Sequence, residues 1–325
     1  MKMTVETVRR PLAAPFVITG YTFTHLDAVW VTLENNGATG KGEGVGMYYL
    51  GENPETLSLE LGSVRDAVES GATRLDVQSL LPRGGARNAL DCAYWDLECK
   101  AASKTIWQVL EIAPQPLVTV ATIGIGTPEE MAAKARAFAN YPKLKVKLDG
   151  RQPLERLSAI RKARPEATLV VDVNQGWSMA ELVTYTPELS NLEVAMIEQP
   201  LARGADAELD EYHSPIPLGA DESCLDLSEY EEAASRYDVI NIKLDKCGGL
   251  TEALAIVQRA RDEGKDLMVG NMTGTSLSMA PSHVIGQFCR FVDIDGPLFL
   301  ASDIAEGLTY SEGGWVEPPS PTLWG

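Results

Sequence analysis

Histidine is nearly absent from this chain of 325 residues, which carries only His25, His213 and His283. None has a neighbouring histidine or cysteine at ligand spacing, which argues against a zinc centre and against a lysine–histidine pair of acid–base groups. Cys92, Cys99, Cys224, Cys247 and Cys289 are odd in number and include no C-x-x-C pair. Free thiols in a reducing compartment therefore fit better than a disulfide framework. Basic residues are also short: 28 Lys and Arg against 46 Asp and Glu leave a formal charge of −18. A polyphosphate or an anionic bilayer surface needs the opposite balance, so no nucleic-acid or membrane partner is expected. The opening MKMTVETVRRPLAAPF has no apolar run long enough for a signal peptide. No stretch approaches the ~18 apolar residues of a membrane span. The expected location is cytoplasmic.

What is present describes a soluble protein, with 45% apolar and 23% charged residues. The length suits one large barrel or two ordinary domains. From Met1 to about Gly46 the runs are short and β-like, Thr4–Val8 and Ala28–Leu33, with a turn at Asn35, Asn36 and Gly37. The stretch 87–104 then places Ala89, Ala93, Leu97 and Ala101 four apart on one helical stripe. Together these predict an α+β domain. From Val118 onward a period near 25 residues appears. Strand-like runs recur at Val118–Ile125, Leu144–Leu148, Thr168–Val173, Val194–Ile197, Pro217–Ala220, Val239–Leu244, Leu267–Val269 and Phe291–Ile294. Helix-like stretches such as Pro128–Asn140 and Thr251–Glu263 separate them. Eight such units close most simply into a parallel barrel. The alternative is an open doubly wound sheet, against which stands the lack of a Gly-rich phosphate fingerprint after the first strand.

The chemistry-bearing residues end these strands. Asp172, Glu198 and Asp221 stand 26 and 23 residues apart, one on each of three successive strands. Neighbouring strand ends are roughly 5 Å apart, so three carboxylates there repel unless a cation sits among them. An all-oxygen set suits Mg²⁺ or Mn²⁺ rather than zinc; the competing reading is that each carboxylate caps the following helix. Lys145 and Lys147 alternate with Leu144, Val146 and Leu148, so the lysines share one face. Lys243 ends the sixth strand. A lysine buried beside another has its pKa lowered and serves as a base near neutral pH. A divalent metal on a substrate carboxylate stabilises the enediolate left when the adjacent carbon loses a proton. A base on each side of that carbon permits inversion.

At these residues the sequence resembles the enolase superfamily, in the muconate-lactonizing branch that contains the dipeptide epimerases. The matching stretches are LKVKLDG (144–150), VDVNQGWS (171–178), IEQP (197–200), GADES (219–223), NIKLDKCGGL (241–250) and DIDGPL (293–298). The resemblance implies a (β/α)7β modified TIM barrel over residues 113–298, an α+β capping domain over 1–112 and a C-terminal segment, 299–325, returning to that domain. It implies Lys147 and Lys243 as acid–base residues, Lys145 as an electrostatic helper, and Asp172, Glu198 and Asp221 as ligands of one Mg²⁺ per subunit, with Mn²⁺ as a substitute. Asn174 and Glu222 would support that site. Asp293 and Asp295 form a D-x-D similar to that of dipeptide epimerases, where it would hold a dipeptide's α-ammonium. Thr122, Met272 and Tyr21 complete the implied substrate contacts.

The expected function is two-base inversion of the C-terminal residue of a dipeptide. Rivals of the same fold are an N-acylamino-acid racemase, an o-succinylbenzoate synthase and a cycloisomerase, whose substrates lack the ammonium. A catalytically silent binding barrel is the rival of another class. Ala-Glu epimerases of this type often carry an arginine in the first capping loop. Here residues 11–40 contain no Lys or Arg, and Tyr21 matches that position. A hydrophobic or cationic C-terminal side chain is expected instead. Homo-oligomer formation is left open.

Overall fold

The computed structural model describes residues 1–325. It begins with an antiparallel sheet of β1 (Lys2–Ile18), β2 (Tyr21–Asn35) and β3 (Ala38–Gly44). The runs at 4–8 and 28–33 are the central parts of these longer strands, and the turn falls at Asn36–Gly37 as predicted. Pairing of β1 with β2 shifts register between Pro11 and Phe16, where proline offers no N–H to the ladder. Beyond that irregularity the hairpin tip reaches the barrel. Thr19 Oγ1 donates to the carbonyls of Leu148 and Val173, both at 3.2 Å.

Helix 85–102 lies on β3 because alternate residues of the strand are glycine. A Cβ at Gly40, Gly42 or Gly44 would come within 2.2 Å of a backbone oxygen of that helix. With no side chains in between, the two backbones pack directly. Around this contact Val29, Val31, Leu33, Leu57, Leu61 and Leu90 form the core of the capping domain.

The remaining strands are β4 (Leu117–Val118), β5 (Ala121–Ile123), β6 (Lys143–Lys147), β7 (Thr168–Asp172), β8 (Val194–Glu198), β9 (Leu218–Ala220), β10 (Val239–Ile242), β11 (Asp266–Val269), β12 (Phe291–Val292) and β13 (Trp315–Val316). Strands β5 to β12 form one parallel sheet in chain order. The run 118–125 is split: β4 pairs antiparallel with β13, and only β5 enters the barrel. The two sheet edges meet, since Val120 N donates to Val292 O at 3.0 Å and Thr122 N to Asp295 Oδ2 at 2.9 Å. That closure excludes the open doubly wound alternative.

Alternation along each strand separates core from site. Leu144, Val146, Val171, Ile197 and Ile242 join the large core with the outer helices. Val170, Met196, Val239, Met268 and Phe291 fill the barrel interior as a separate apolar layer. Two residues further along the same faces stand Asp172, Glu198, Asn241, Gly270 and Asp293. The C-terminal segment is fastened to the capping domain: Trp324 Nε1 donates to Cys92 O at 3.0 Å and Gly325 N to Asp96 Oδ1 at 2.7 Å. No helix is long and apolar enough to cross a membrane.

Candidate active site

The strand order divides the barrel mouth into arcs. Asp172, Glu198 and Asp221 come from the consecutive strands β7, β8 and β9. Lys147 ends β6 and Lys243 follows β10. Four steps around an eight-stranded barrel are half its circumference, so these lysines face each other across the mouth. The opposite arc, from β11, β12 and β5, carries Asn271, Met272, Asp293, Asp295 and Thr122, and all five line one pocket with Lys145, Lys147 and Lys243.

Every carboxylate of the first arc touches an ammonium. Lys147 Nζ donates to Asp172 Oδ2 at 2.6 Å and to Asn174 Oδ1 at 3.1 Å. Lys243 Nζ donates to Asp221 Oδ2 at 2.5 Å. Lys145, 1% exposed, reaches Asp172 at 3.0 Å, Glu198 at 2.8 Å and Asp293 at 2.7 Å. It is therefore the central cation of the mouth, joining the two arcs. The carboxylate oxygens do not converge as a ready-made ion cage.

The donor set still fits a hard divalent cation. It is all oxygen, and the buried atoms Glu198 Oε2, Asp221 Oδ1 and Glu222 Oε2 lack a hydrogen-bond partner. Lys145 and Lys246 stand 2.8 Å from the first two, making ionic contacts without hydrogen-bond alignment. Such atoms retain lone pairs for a metal.

One electrostatic expectation is overturned. Burial does push the Lys243 ammonium down, but Asp221 and Glu198 outweigh it and hold it well above the ordinary lysine value. Lys145 behaves in the same way, raised by Asp293, Glu198 and Asp172 against burial. Partner carboxylates, closer than the neighbouring lysine charge, decide the sign. Among the acids, burial pushes Asp172 up, yet Lys147 and Lys145 prevail and hold it down at about 2. Glu198 moves the other way, through burial and its neighbour Asp172.

The D-x-D pair is less free than its sequence implies. Asp293 Oδ2 is taken by Lys145, and its Oδ1 accepts from Asn271 Nδ2 at 3.0 Å. Asp295 accepts from Thr122 N, and burial together with Asp293 raises its pKa well above the usual carboxylate range.

Above the mouth the capping domain contributes Phe16, Ile18, Phe23, Tyr48 and Tyr49, with Phe299 beside them. Tyr21 does not line the pocket. It is 44% exposed and packs on two residues that do, edge-on to Tyr48 at 4.3 Å and stacked on Phe23 at 6.2 Å. Two residues on, Phe23 takes the position expected of Tyr21.

Three supporting residues escaped the sequence reading. Lys246, 1% exposed, holds Asp221 Oδ1 and donates to the carbonyls of Asp221, Cys224 and Asn241. Asn241 Nδ2 donates to Glu198 Oε1 at 2.7 Å. Gln199 Oε1 accepts from the backbone N–H of Asp221 and Ser223. The signal for Lys246 was its place in the 241–250 stretch. Gln199, Asn174 and Gln175 also have positive φ, of 37°, 45° and 67°, and strained backbone of this kind gathers at working sites. The histidines stay outside: His283 is buried with Nε2 3.2 Å from Val316 O, His25 meets Asp27, and His213 is exposed.

Fold and site define a closed parallel barrel whose carboxylate–lysine mouth lies under a capping domain. The chain belongs to the enolase superfamily: residues 1–110 match the mandelate racemase/muconate lactonizing enzyme N-terminal domain, and residues 129–321 match the enolase C-terminal domain-like family. It is 41% identical over 306 residues to the L-Ala-D/L-Glu epimerase of Escherichia coli, covering 93% of this chain and 95% of that one. It is 41% identical over 245 residues to the N-acetyl-D-glutamate racemase of a Pseudoalteromonas species, covering 75% and 78%. Among solved structures it resembles an enolase family member from Agrobacterium tumefaciens with homology to dipeptide epimerases. That protein holds sodium and L-Ala-L-Glu, and matches with a TM-score of 0.96 at 42% identity over 99% of both chains. A dipeptide epimerase of Cytophaga hutchinsonii, complexed with Mg and D-Ala-L-Val, matches with a TM-score of 0.92 at 26% identity, over 98% and 94%.

Proposed function

We propose that this protein is a Mg²⁺-dependent dipeptide epimerase that inverts the α-carbon of the C-terminal residue. The observation that carries this is the pair Lys147 and Lys243, half a barrel apart and both lining one pocket beside three buried carboxylates. Asp172, Glu198 and Asp221 would hold the metal. Once bound, Mg²⁺ supplies positive charge to the substrate carboxylate as electron density gathers there. One lysine takes the α-proton and the other returns a proton on the opposite face, which inverts the centre. Lys145 adds fixed positive charge, while Asn241 and Lys246 hold Glu198 and Asp221 in place. Asp293 and Asp295 offer negative charge to the dipeptide's ammonium. The five thiols are all free, which suits the reducing cytoplasm.

A second reading is racemisation of N-acylamino acids. It is favoured by the commitment of Asp293 to Lys145 and Asn271, since an acylated substrate asks for no ammonium site.

The test is incubation with Mg²⁺ in D₂O, scoring deuterium at the α-carbon by mass spectrometry. L,L-Dipeptides are expected to exchange at the C-terminal residue, and chelation with EDTA to stop it. Exchange confined to N-acetylamino acids would select the second reading. Lys147→Ala and Lys243→Ala should each slow epimerisation by roughly 10²–10⁴-fold, each retaining exchange from a different stereoisomer. Normal epimerisation by both variants would end the two-base mechanism.

A further inference from the structure

We infer that the inverted residue carries a large apolar side chain, aliphatic or aromatic, selected by Phe23, Tyr48 and Met272; this rests on the dipeptide reading above. The α-carbon has four substituents. On that reading its carboxylate would point to the β7–β9 arc, its hydrogen would lie on the line between Lys147 and Lys243, and its amide nitrogen would lead to the β12–β5 arc. The barrel floor is closed by Val170, Met196, Val239, Met268 and Phe291. The one direction left for the side chain is outward, toward the capping domain.

That direction is apolar. Phe16 and Phe299 pack with ring centroids 4.5 Å apart, and Phe23 meets Tyr48 edge-on at 5.2 Å. Met272 lies in the same lining, a pliable group suited to varied apolar shapes. A second cavity shares Phe23, Tyr48, Met272 and Thr273 with the first and extends to Leu12, Leu26 and Val45. The wall therefore has space behind it, into which Phe23 or Met272 could yield for a bulky side chain.

The charged alternatives lack partners. An acidic side chain would find no lysine or arginine on this wall, because residues 11–40 contain none, His25 there is paired with Asp27, and the pocket's lysines all serve the carboxylates below. Glu222 also lines the pocket, but it stands beside Asp221 with the carboxylates that would hold the metal, and not on the capping wall. A cationic side chain fares no better. Glu52, in the cavity behind, accepts from Met47 N and Gly85 N through Oε2 and is pushed toward its neutral form by burial, to about 7, and Asp27 is paired with Arg9 and His25. An apolar residue here differs from the glutamate named in the relatives described above.

The experiment measures kcat/KM for α-hydrogen exchange across L-Ala-L-X, with X as Phe, Leu, Met, Glu and Lys, on the Mg²⁺-loaded wild-type protein. The apolar members are expected to exceed Glu and Lys by roughly 10–200-fold, the range over which a pocket discriminates by apolar contact. Phe23→Arg should reverse the order of Phe and Glu. Glu or Lys equal to or above the apolar members in the wild-type protein would overturn the inference while leaving epimerisation intact. Absence of exchange with every dipeptide would overturn the reading beneath it as well.

Discussion

The two sides of the substrate pocket are built on opposite principles. On the barrel side, Lys145, Lys147, Lys243 and Lys246 interlock with Asp172, Glu198, Asp221 and Asp293 at 2.5–3.0 Å. Each of these groups is almost fully buried, so each must be paired, and displacing one leaves another uncompensated. On the other side, Phe16, Phe23 and Tyr48 of the capping domain line the pocket with Phe299 and the barrel's Met272, rings and a thioether that tolerate change in shape. The difference separates reaction from recognition. The charged side has one workable arrangement and supplies the proton transfer. The apolar side can be altered piecemeal and decides which side chain enters.

The sharpest way to break this division is Lys246→Met. The substitution strips Asp221 of a buried counter-charge and three backbone carbonyls of their donor. Removing one partner of such a pair costs roughly 3–5 kcal/mol of stability, and loss of support for a metal ligand costs roughly 10–100-fold in metal affinity or activity. Activity should fall by the same factor for all dipeptides. Denaturant unfolding with exchange kinetics would check both effects; a variant that re-ranks the dipeptides would show that the charged side also reads the side chain.

A smaller and more directional effect is expected of Gly270→Ala. A Cβ there would lie 2.7 Å from Asn241 Oδ1 and 3.0 Å from Lys243 Cε. It therefore presses on Lys243 and, through Asn241, on Glu198, and leaves Lys147 alone. Misplacing a catalytic group by about 1 Å can cost on the order of 10²-fold, here more in exchange from one stereoisomer than from the other. Equal losses from both stereoisomers would mean that the displacement acts through Asn241 and Glu198 and not through Lys243.

The same contrast explains how much was legible in the sequence. Asp172, Glu198, Asp221, Lys147 and Lys243 recur one per βα unit, so spacing alone brings them to one end of the barrel. The structure duly gathers them in one mouth, with Thr122 and Met272 in the same pocket as Lys147 and Lys243. The wall has no such period. Its pieces come from 16–23, 48–49, 272 and 299, and the first of them lies beyond the register shift of the β1–β2 hairpin. An offset of two residues then put Phe23 where Tyr21 was expected. Lysine pKa values were illegible for a related reason: their sign depends on which carboxylate lies closest, and a list of residues does not hold that distance.

The gentlest probe addresses what joins the two sides. Glu43, 1% exposed, accepts from Trp30 Nε1 at 2.7 Å within the capping domain and from Thr275 N at 2.8 Å on the barrel. Burial pushes its pKa up to about 7, against the donation by Thr275 and Trp30. A carboxyl raised in the folded state holds its proton more tightly than in the unfolded chain. Its contribution is greatest below the ordinary value of 4.5 and is lost as pH rises through about 7. At 1.36 kcal/mol per unit, that loss amounts to about 3 kcal/mol at most. Glu43→Gln cannot titrate, so wild-type stability should fall more steeply than the variant's between about pH 5 and pH 8. Urea midpoints at several pH values would show the wild type losing stability relative to the variant as pH rises. Parallel curves would mean that Glu43 is ionised throughout and serves as a plain acceptor for Thr275 and Trp30. In either case the order of preferred dipeptides should stay as in the wild type, because Glu43 joins the domains without touching the wall that reads the side chain.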